Sequence, residues 1–461
     1  MDKKYNGIWW CPNSNKKVNG TLTIDEDKGI ILETDGALAK FDIINGHTTN
    51  NSLITLQGCM NIGFSMNGYG SPSKYTANIV YVGKHFDCEE NIKFNKFSFT
   101  TSNLNDWVWN RSFDFKRDDN EKIFILNYKL PKPIKADIND KYSIEIETTT
   151  KLPPYSIVQY EVNIKETTKV NLCSKSKESL RDFLRLEYIF ECFMKIATGV
   201  SQNRYDVCGF IDGDKVEIYI PQHIAYKEKN ILPLHMPFHF HQIKDRWEEI
   251  ISLWYKMYDT NEDIWNLYFS INNNTRNYIQ HSFIFYAQVI ESYHRRKFDK
   301  EDRRDEKEKI KKTILSCPEE HQNFLEEALR FAHEITFKER LEQLCNGCDI
   351  MDIILNIQYK TDQENFIKII KDNRNYYTHY DESLEKKKID SLTLHYITVK
   401  INILIHYYML KELAFNSKDR FEILKRLDTE IMADQSLKEL DRFVENLTVE
   451  KINEAEENIN D

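Results

Sequence analysis

The amino-acid sequence predicts an α+β protein of several domains: a β-rich, sandwich-like N-terminal domain, a small α+β connector and an all-α helical bundle at the C-terminus. Two observations predict this order. Over residues 1–170 apolar residues alternate with polar ones, which is the period of a strand. From about residue 262 apolar residues recur every three to four positions, which is the period of an amphipathic helix. A chain of 461 residues is long enough for more than one hydrophobic core.

Short alternating segments, separated by turn residues, indicate the β-rich domain over residues 1–170. Leu22 and Ile24 alternate with polar residues, a turn follows at Asp25–Gly29, and the alternation then resumes. The same period returns in five later segments: YTANIVYV (75–82), FNKFSF (94–99), KIFILNY (122–128), YSIEIET (142–148) and SIVQYEVNI (156–164). Strands at this spacing, with no helical pattern between them, are typical of a β-sandwich or a barrel.

Residues 171–258 combine both periods and form the predicted connector, although the sequence leaves open that they belong to the first domain. A helix is predicted over 174–199, where a glycine ends it. A hairpin follows around 212–214, and a helix with one apolar face extends from Ile243 to Met257.

Residues 262–447 predict the helical bundle, and the polar segment 448–461 predicts a frayed tail. Capping boxes that begin at Thr336 and Thr361 mark two helix starts. A membrane span needs about twenty mostly apolar residues. The most apolar segment, Leu392–Leu410, is instead interrupted by four polar residues: His395, Lys400, Asn402 and His406. The sequence therefore predicts a buried helix there and no membrane segment.

Charge and cysteine content limit the partners and the compartment. The chain has 63 Lys and Arg against 73 Asp and Glu, a net charge of −10, which excludes a protein that coats nucleic acid over its whole surface. Any chemistry on RNA or DNA must therefore take place in a local basic cleft. Nine cysteines, an odd number spread along a long chain, and the lack of a secretory leader pattern predict a reducing, cytoplasmic location.

The sequence predicts no cofactor and no metal. It has no Walker A loop, dinucleotide-binding fingerprint, G-x-S-x-G elbow or H-E-x-x-H helix. Cys345 and Cys348 form a single CxxC without a second pair at zinc-finger spacing, which favours burial of both thiols over a half zinc site. His235, His239 and His241 lie close together, but no cysteine or carboxylate accompanies them at matching spacing. Metal binding is the weaker alternative at both places.

The segment FIKIIKDNRNYYTHYDES (366–383) contains the candidate catalytic residues Arg374, Asn375 and His379. A permanently charged guanidinium, an amide and a group that titrates near neutral pH suit cleavage of a phosphodiester without a metal. On one unbroken helix, Arg374 and His379 would point about 140° apart. We therefore expect the helix to end near Asn375 and the next to begin near Asp381, so that the two side chains meet at the bend.

This spacing of arginine and histidine is weak evidence by itself, because Arg276 and His281 repeat it in the same chain. We interpret that second pair as structural, since it lies at the start of a continuous helical pattern. The Arg374 motif instead interrupts a helical pattern, and lysines 368, 371 and 386–388 lie around it.

Three segments carry a family resemblance. RNYYTHYD (374–381) resembles the R-N-x-x-x-H signature of HEPN ribonucleases (higher eukaryotes and prokaryotes nucleotide-binding). YAQVIESYHRR (286–296) resembles the first HEPN helix of the ApeA-like subgroup, in which a Glu is followed by Tyr-His-Arg. GIWWCPNSNKKVNGTLTIDEDKGIILETDG (7–36), with the later ITLQG and DWVW segments, resembles the N-terminal domain of ApeA-type anti-phage proteins.

The resemblance implies a metal-independent endoribonuclease of an abortive-infection anti-phage system, which cleaves host RNA, tRNA included. It implies a homodimer or higher homo-oligomer formed through the HEPN domain, and a phage-derived trigger bound by the N-terminal domain. Arg374 would bind the scissile phosphate, and His379 would act as general base or acid in attack by the RNA 2′-hydroxyl. Asn375 would position these groups, and Glu291 would orient them from the facing helix or pair with His294.

Two other functions stay open. In a non-catalytic HEPN scaffold, used for dimerisation or nucleotide binding, Arg374 would cap its helix and His379 would begin the next. In a carbohydrate- or peptide-binding β-sandwich, four tryptophans could form a stacking platform: Trp9, Trp10, Trp107 and Trp109. Such tryptophans are more often residues of a core or a domain interface.

Overall fold

The computed structural model describes thirteen stretches of the chain: residues 3–25, 29–39, 42–64, 72–118, 120, 122–151, 162–221, 226, 229–272, 278–299, 304–356, 360–380 and 382–433. The chain divides into two compact units, Met1–Tyr255 and Lys256–Asp461. The first unit is built on a large β-sheet and the second is helical, which confirms the predicted fold class.

The described part of the first unit contains sixteen strands: β1 (Lys3–Trp10), β2 (Lys17–Asp25), β3 (Gly29–Thr34), β4 (Ile43–Thr48), β5 (Leu53–Gln57), β6 (Met60–Phe64), β7 (Ser73–Thr76), β8 (Ile79–Val82), β9 (Lys93–Thr101), β10 (Phe113–Asp118), β11 (Ile123–Tyr128), β12 (Ile134–Asp137), β13 (Tyr142–Lys151), β14 (Lys165–Ser179), β15 (Arg204–Ile211) and β16 (Asp214–Tyr219). Fourteen of them form one antiparallel sheet in the order β12-β13-β14-β9-β15-β16-β8-β5-β4-β1-β2-β3-β7-β6. Strands β10 and β11 pair separately as a hairpin.

The short link between β7 and β8 shows that half of this sheet is curled. Five strands lie between these two in the sheet, which would separate them by roughly 29 Å if the sheet were flat. Only residues 77–78 connect them, and that link reaches about 10 Å at most. The strands from β8 to β7 therefore curl round a common core, which includes Trp9, Leu22, Leu32, Ile54 and Val80.

The domain boundary predicted at residue 170 lies inside β14, and the predicted connector belongs to the first unit up to Tyr255. Strand β15 pairs with β9, and β16 pairs with β8, so the hairpin of the connector joins the two halves of the sheet. The alternation is the same on both sides of residue 170, and no local pattern shows which distant strand a segment will pair with. Most of the strand predicted at 156–164 lies outside the described residues.

Four α-helices begin in the described part of the first unit: α1 (Leu104–Val108), α2 (Leu180–Thr198), α3 (Phe240–Ile243) and α4 (Trp247–Thr260). Helix α2 begins six residues later than the predicted 174 because those residues complete β14. The Ser179 hydroxyl caps it by accepting from the Asp182 N–H, and Gly199 ends it in the left-handed region at φ 79°. The ring of Phe183 stacks on Phe97 of β9 at 5.7 Å between ring centres, so α2 covers one face of the sheet.

Two of the four tryptophans considered as a stacking platform are fully buried. Trp9 donates its indole N–H to the Gly20 carbonyl at 3.0 Å, and Trp107 donates to the Phe238 carbonyl at 3.1 Å. Both are core residues, which removes them from any exposed binding surface.

The described part of the second unit adds nine helices: α5 (Glu262–Asn272), α6 (Ile279–Lys297), α7 (Arg304–Leu315), α8 (Glu319–Leu329), α9 (Phe337–Asn346), α10 (Met351–Asn356), α11 (Gln363–His379), α12 (Ser391–Glu412) and α13 (Ser417–Ala433). The capping box predicted at Thr336 is confirmed. The one predicted at Thr361 is wrong by one residue, since the Asp362 carboxylate accepts from the Asn365 N–H and caps α11. The predicted tail at 448–461 lies outside the described residues.

Helix α12 is the buried helix that the sequence predicts, and three of its polar residues, Lys400, Asn402 and His406, are hydrogen-bonded inside the bundle. The Tyr268 hydroxyl lies 2.8 Å from the Asn402 side-chain oxygen and 3.0 Å from the His406 ring. Lys400 donates to the Leu355 carbonyl at 3.1 Å. Within the described stretches, we find no helix with the length and apolarity needed to span a bilayer.

The close approach of β4 to the Trp9 ring gives a prediction about stability. A Cβ built on Gly46 would overlap the indole of Trp9, which is fully buried and cannot move away freely. We expect Gly46→Ala to lower the free energy of unfolding by about 1–3 kcal/mol, measured by urea denaturation. Gly63→Ala in β6 is the matched control, because a Cβ there meets no atom within 4 Å. Equal stability of the two variants would contradict the close packing of Gly46.

Candidate active site

Helices α6 and α11 carry the candidate residues and run antiparallel. The rings of Phe283 on α6 and Tyr377 on α11 meet at 6.2 Å. Two turns further along α6, Glu291 pairs with Arg374, which precedes Tyr377 on α11. Helix α11 packs into the bundle through its apolar face, on which Phe366, Ile370 and Tyr377 are buried. The polar residues Glu291 and Arg374 face each other at the edge of this packed surface.

The helix does not end near Asn375 as the sequence predicts; α11 continues to His379. Burial of Tyr376 and Tyr377 explains the difference, since these two rings extend the inward face past the motif. The break comes at Tyr380, whose backbone is left-handed at φ 49°. Arg374 and His379 thus lie on one continuous helix. Five residues turn through about 500°, which leaves the two side chains about 140° apart. The bend that was expected to bring them together is absent from α11.

Arg374 is held by three neighbours. Its Nη2 donates to Glu291 Oε2 at 3.0 Å, and its Nη1 donates to Asn375 Oδ1 at 3.4 Å. Its guanidinium carbon lies 5.2 Å from the centre of the Phe337 ring on α9, within range of a cation–π contact. The Arg374 side chain is still 32% exposed, so it is oriented without being enclosed.

The Glu291 carboxylate is shared by two arginines. Its second oxygen accepts from Arg295 Nη2 at 3.1 Å, one turn further along α6, and Arg295 also donates to Glu334 at 3.1 Å. Only 15% of the Glu291 side chain is exposed, so both ion pairs are partly shielded from water. The structure therefore brings together Glu291, Arg374 and Asn375, three of the four candidate residues.

His379, the fourth candidate, lies at the last position of α11 and is exposed. Its ring makes no hydrogen bond to any residue within the described stretches. A solvent-facing imidazole can act as a general acid or base towards a bound molecule.

The roles of two residues of this region come from the structure and not from the sequence. Arg295 stands in the segment that resembles the first HEPN helix, but only the structure shows that it shares Glu291 with Arg374. Asn373 is fully buried, accepts from the Ile389 N–H at 3.1 Å and donates to the Lys387 carbonyl at 3.4 Å. Asn373 thereby ties the lysine-containing segment 382–389 back onto α11.

His294 does not pair with Glu291, and belongs to a buried network behind the site. The fully buried Arg340 donates to His294 Nδ1 at 3.1 Å and to Asp299 at 2.8 Å. A guanidinium can only donate, so the proton of the neutral imidazole is on Nε2, which donates to Gln343 at 2.7 Å. Burial lowers the pKa of His294, and the positive charge of Arg340 lowers it further.

The alternative metal ligands are structural or incomplete. Burial raises the pKa of the Cys345 thiol to about 12 and that of Cys348 to about 11. His241 bonds to the Trp109 carbonyl at 3.0 Å, and its ring lies near that of His239. Among the described residues, no three His, Cys, Asp or Glu form a group suited to a metal ion. Arg276 of the second arginine–histidine pair lies outside the described residues.

The His294 network gives a prediction about pH. In the unfolded chain His294 binds a proton once the pH falls below its ordinary pKa of about 6.5. In the folded chain its pKa is lowered, so it stays neutral to a lower pH. Stability is therefore lost as the pH falls from 7 to 5, with a slope of at most about 1.4 kcal/mol per pH unit from this group. We expect His294→Gln to remove that part of the slope in urea denaturation, and His321→Gln, at an exposed position of α8, to leave it. Identical slopes in the wild type and His294→Gln would contradict this assignment.

Comparison with known families covers both units. The family model of ApeA N-terminal domain 1 matches residues 4–254, and that of the Apea-like HEPN domain matches residues 284–419. No curated protein and no solved structure matches the chain. The first match covers more than half of the chain, and the second includes both helices of the candidate site. The chain therefore belongs to the ApeA-type HEPN proteins, a family of anti-phage nucleases.

Proposed function

We propose that the chain is a metal-independent endoribonuclease of an abortive-infection system, which cleaves host RNA, tRNA included, through Arg374, Asn375 and His379. The observation that carries this proposal is the pairing of Arg374 with Glu291 on the same helix as an exposed His379, whose ring has no hydrogen bond within the described residues. An oriented guanidinium and a free imidazole are the two groups that phosphodiester cleavage needs when no metal takes part.

Arg374 binds the scissile phosphate. A guanidinium has five N–H donors, and within the described residues Glu291 and Asn375 each accept one of them. The remaining donors suit two phosphate oxygens in the bidentate geometry that arginine favours. Asn375 orients the guanidinium by accepting from Nη1, and Glu291 orients it from the facing helix.

His379 moves the proton. As a base it takes the proton of the RNA 2′-hydroxyl, whose oxygen then attacks phosphorus. The bond from phosphorus to the 5′-oxygen breaks, that oxygen takes a proton from an imidazolium, and the products are a 2′,3′-cyclic phosphate and a free 5′-hydroxyl. Two histidines, one acting as the base and one as the acid, carry out both proton transfers in one catalytic cycle.

The position of His379 on α11 supports a site made by two copies. Arg374 and His379 diverge by about 140° and are separated by roughly 7.5 Å along the helix axis, so one α11 presents them in different directions. A homodimer through the HEPN domain, in which two copies of the motif face one cleft, supplies both groups to one phosphate. In this proposal the N-terminal domain binds the phage-derived trigger.

Removal of either catalytic group is the direct test. We expect Arg374→Ala and His379→Ala each to lower cleavage of total RNA in EDTA by roughly 100-fold or more, because each removes a group that acts in the transition state. Denaturing gels measure cleavage, and end-group analysis of the wild-type products should show 2′,3′-cyclic phosphates. If the purified protein is inactive alone, lysate of phage-infected cells is added to supply the trigger.

The controls for this test are Arg330→Ala and His321→Ala, which change the same residue types on and after α8. Their cleavage rates should equal that of the wild type. Unchanged cleavage by Arg374→Ala or His379→Ala would refute the site. If the variants lose stability without any wild-type cleavage under either condition, the chain is instead a non-catalytic scaffold in which the Arg374–Glu291 pair is structural.

Glu291 gives a second, graded test. Glu291→Gln keeps the shape of the side chain but loses the charge that orients Arg374, so we expect cleavage to fall roughly 10- to 100-fold, mainly in kcat. Glu334→Gln is the matched control, since it removes the other carboxylate of Arg295 without touching Arg374. Equal rates for both variants would mean that Glu291 does not position the arginine. Melting temperatures separate this effect from loss of folding.

A further inference from the structure

Tyr380 is in an unusual position for a tyrosine. It follows His379 directly and ends α11 with a left-handed backbone at φ 49°. Glycine, and less often asparagine, normally occupies this position, because a side chain is strained there. The Tyr380 side chain is also 64% exposed, although a large aromatic ring gains most from burial. Neither the backbone conformation nor burial of the ring explains a tyrosine at position 380.

The surroundings of Tyr380 hold its ring in place. Its N–H donates to the Tyr376 carbonyl at 2.6 Å, which fixes the turn. Its ring meets Tyr376 edge to face at 5.8 Å, and Tyr377 lies at 6.4 Å. Both of these tyrosines are buried, so they form a rigid support beneath an exposed ring. A pre-positioned aromatic surface therefore lies immediately beside the candidate proton carrier.

Positive charge lies near the Tyr376 ring that supports Tyr380. The Lys388 ammonium is 5.7 Å from the centre of the Tyr376 ring, and Asn373 ties the segment that carries it to α11. Lys371 and Lys387 are paired with Asp372, whereas Lys386 and Lys388 have no carboxylate partner within the described stretches. Aromatic rings combined with lysines are the groups that bind single-stranded nucleic acid, in which bases stack and phosphates are neutralised.

We propose that Tyr380 stacks on an unpaired base next to the scissile phosphate, so that the site takes single-stranded segments of RNA. This inference rests on the proposed function. In an A-form duplex each base is already stacked on its neighbours and paired, so its face is closed to a protein ring. In a loop or an unpaired end the base can leave the stack and lie on Tyr380, which places the adjoining 2′-hydroxyl beside His379. Tyr380 is therefore a substrate-positioning residue, and it selects unpaired RNA.

The test measures binding separately from cleavage. A fluorescent 2′-O-methyl RNA of mixed sequence has no free 2′-hydroxyl and is not cleaved, so fluorescence anisotropy at fixed salt gives its Kd both as a single strand and as a duplex. We expect the wild type to bind the single strand more tightly. Tyr380→Gly should raise the single-strand Kd about 5- to 150-fold, the usual effect of losing one stacking ring, whereas Tyr380→Phe should stay within about threefold.

The controls separate stacking from folding. Glycine suits the left-handed backbone at this position, so the melting temperature of Tyr380→Gly should be no lower than that of the wild type. If that variant does not fold, Tyr380→Leu removes the ring and keeps a side chain. Phe324→Ala removes a different exposed ring, on α8, and should leave the Kd unchanged.

Three results would overturn the inference: a ring-free variant that binds like the wild type, tighter binding of the duplex, or no binding of single-stranded RNA by the wild type. These outcomes are distinct from failure of the proposed function. If cleavage depends on Arg374 and His379 while ring-free variants keep the wild-type Kd, only the stacking role is wrong. If ring-free variants lose binding while cleavage never depends on Arg374 and His379, the proposed nuclease is wrong and Tyr380 is an RNA-binding residue alone.

Discussion

The Glu291 carboxylate, shared between Arg374 and Arg295, is the interaction on which the candidate site depends. It joins α11 to α6 at the edge of their buried apolar surface, and it is mostly shielded from water. Removal of a charge from water costs free energy, which two hydrogen-bonded guanidinium groups offset here. The buried apolar face of α11 sets how the helix packs, and this contact sets the direction of the Arg374 side chain beside Asn375.

The charge of Arg374 would be held in a fixed direction before any substrate arrives. An isolated surface arginine must lose the freedom of its long side chain when it binds a phosphate, whereas Arg374 has already lost much of it to Glu291, Asn375 and Phe337. The same carboxylate also reduces the net positive charge of the site. The two arginines of this cluster are paired with two carboxylates, Glu291 and Glu334, so its formal charges sum to zero within a chain whose net charge is −10.

The sequence predicts the fold class well because the fold class rests on local patterns: alternation and helical periodicity. It does not predict what depends on distant contacts. The boundary predicted at residue 170 falls inside β14, which pairs with β9, some seventy residues earlier in the chain. The helix end predicted near Asn375 is wrong: Tyr377 packs on Phe283 of α6, and α11 therefore continues past Asn375 to His379. Tyr380 gave no signal, since a left-handed helix end is recognised in a sequence by glycine or asparagine.

The continuity of α11 changes how the motif has to work. A bend would have brought Arg374 and His379 together within one chain, and the site would then have been complete in a monomer. On a straight helix the two side chains diverge, so one chain presents a phosphate-binding group and a proton carrier that do not converge. Under the proposed mechanism the active site is completed only when two copies associate. Association is then a requirement for chemistry, and any event that alters it, such as trigger binding by the N-terminal domain, controls cleavage without touching a catalytic residue.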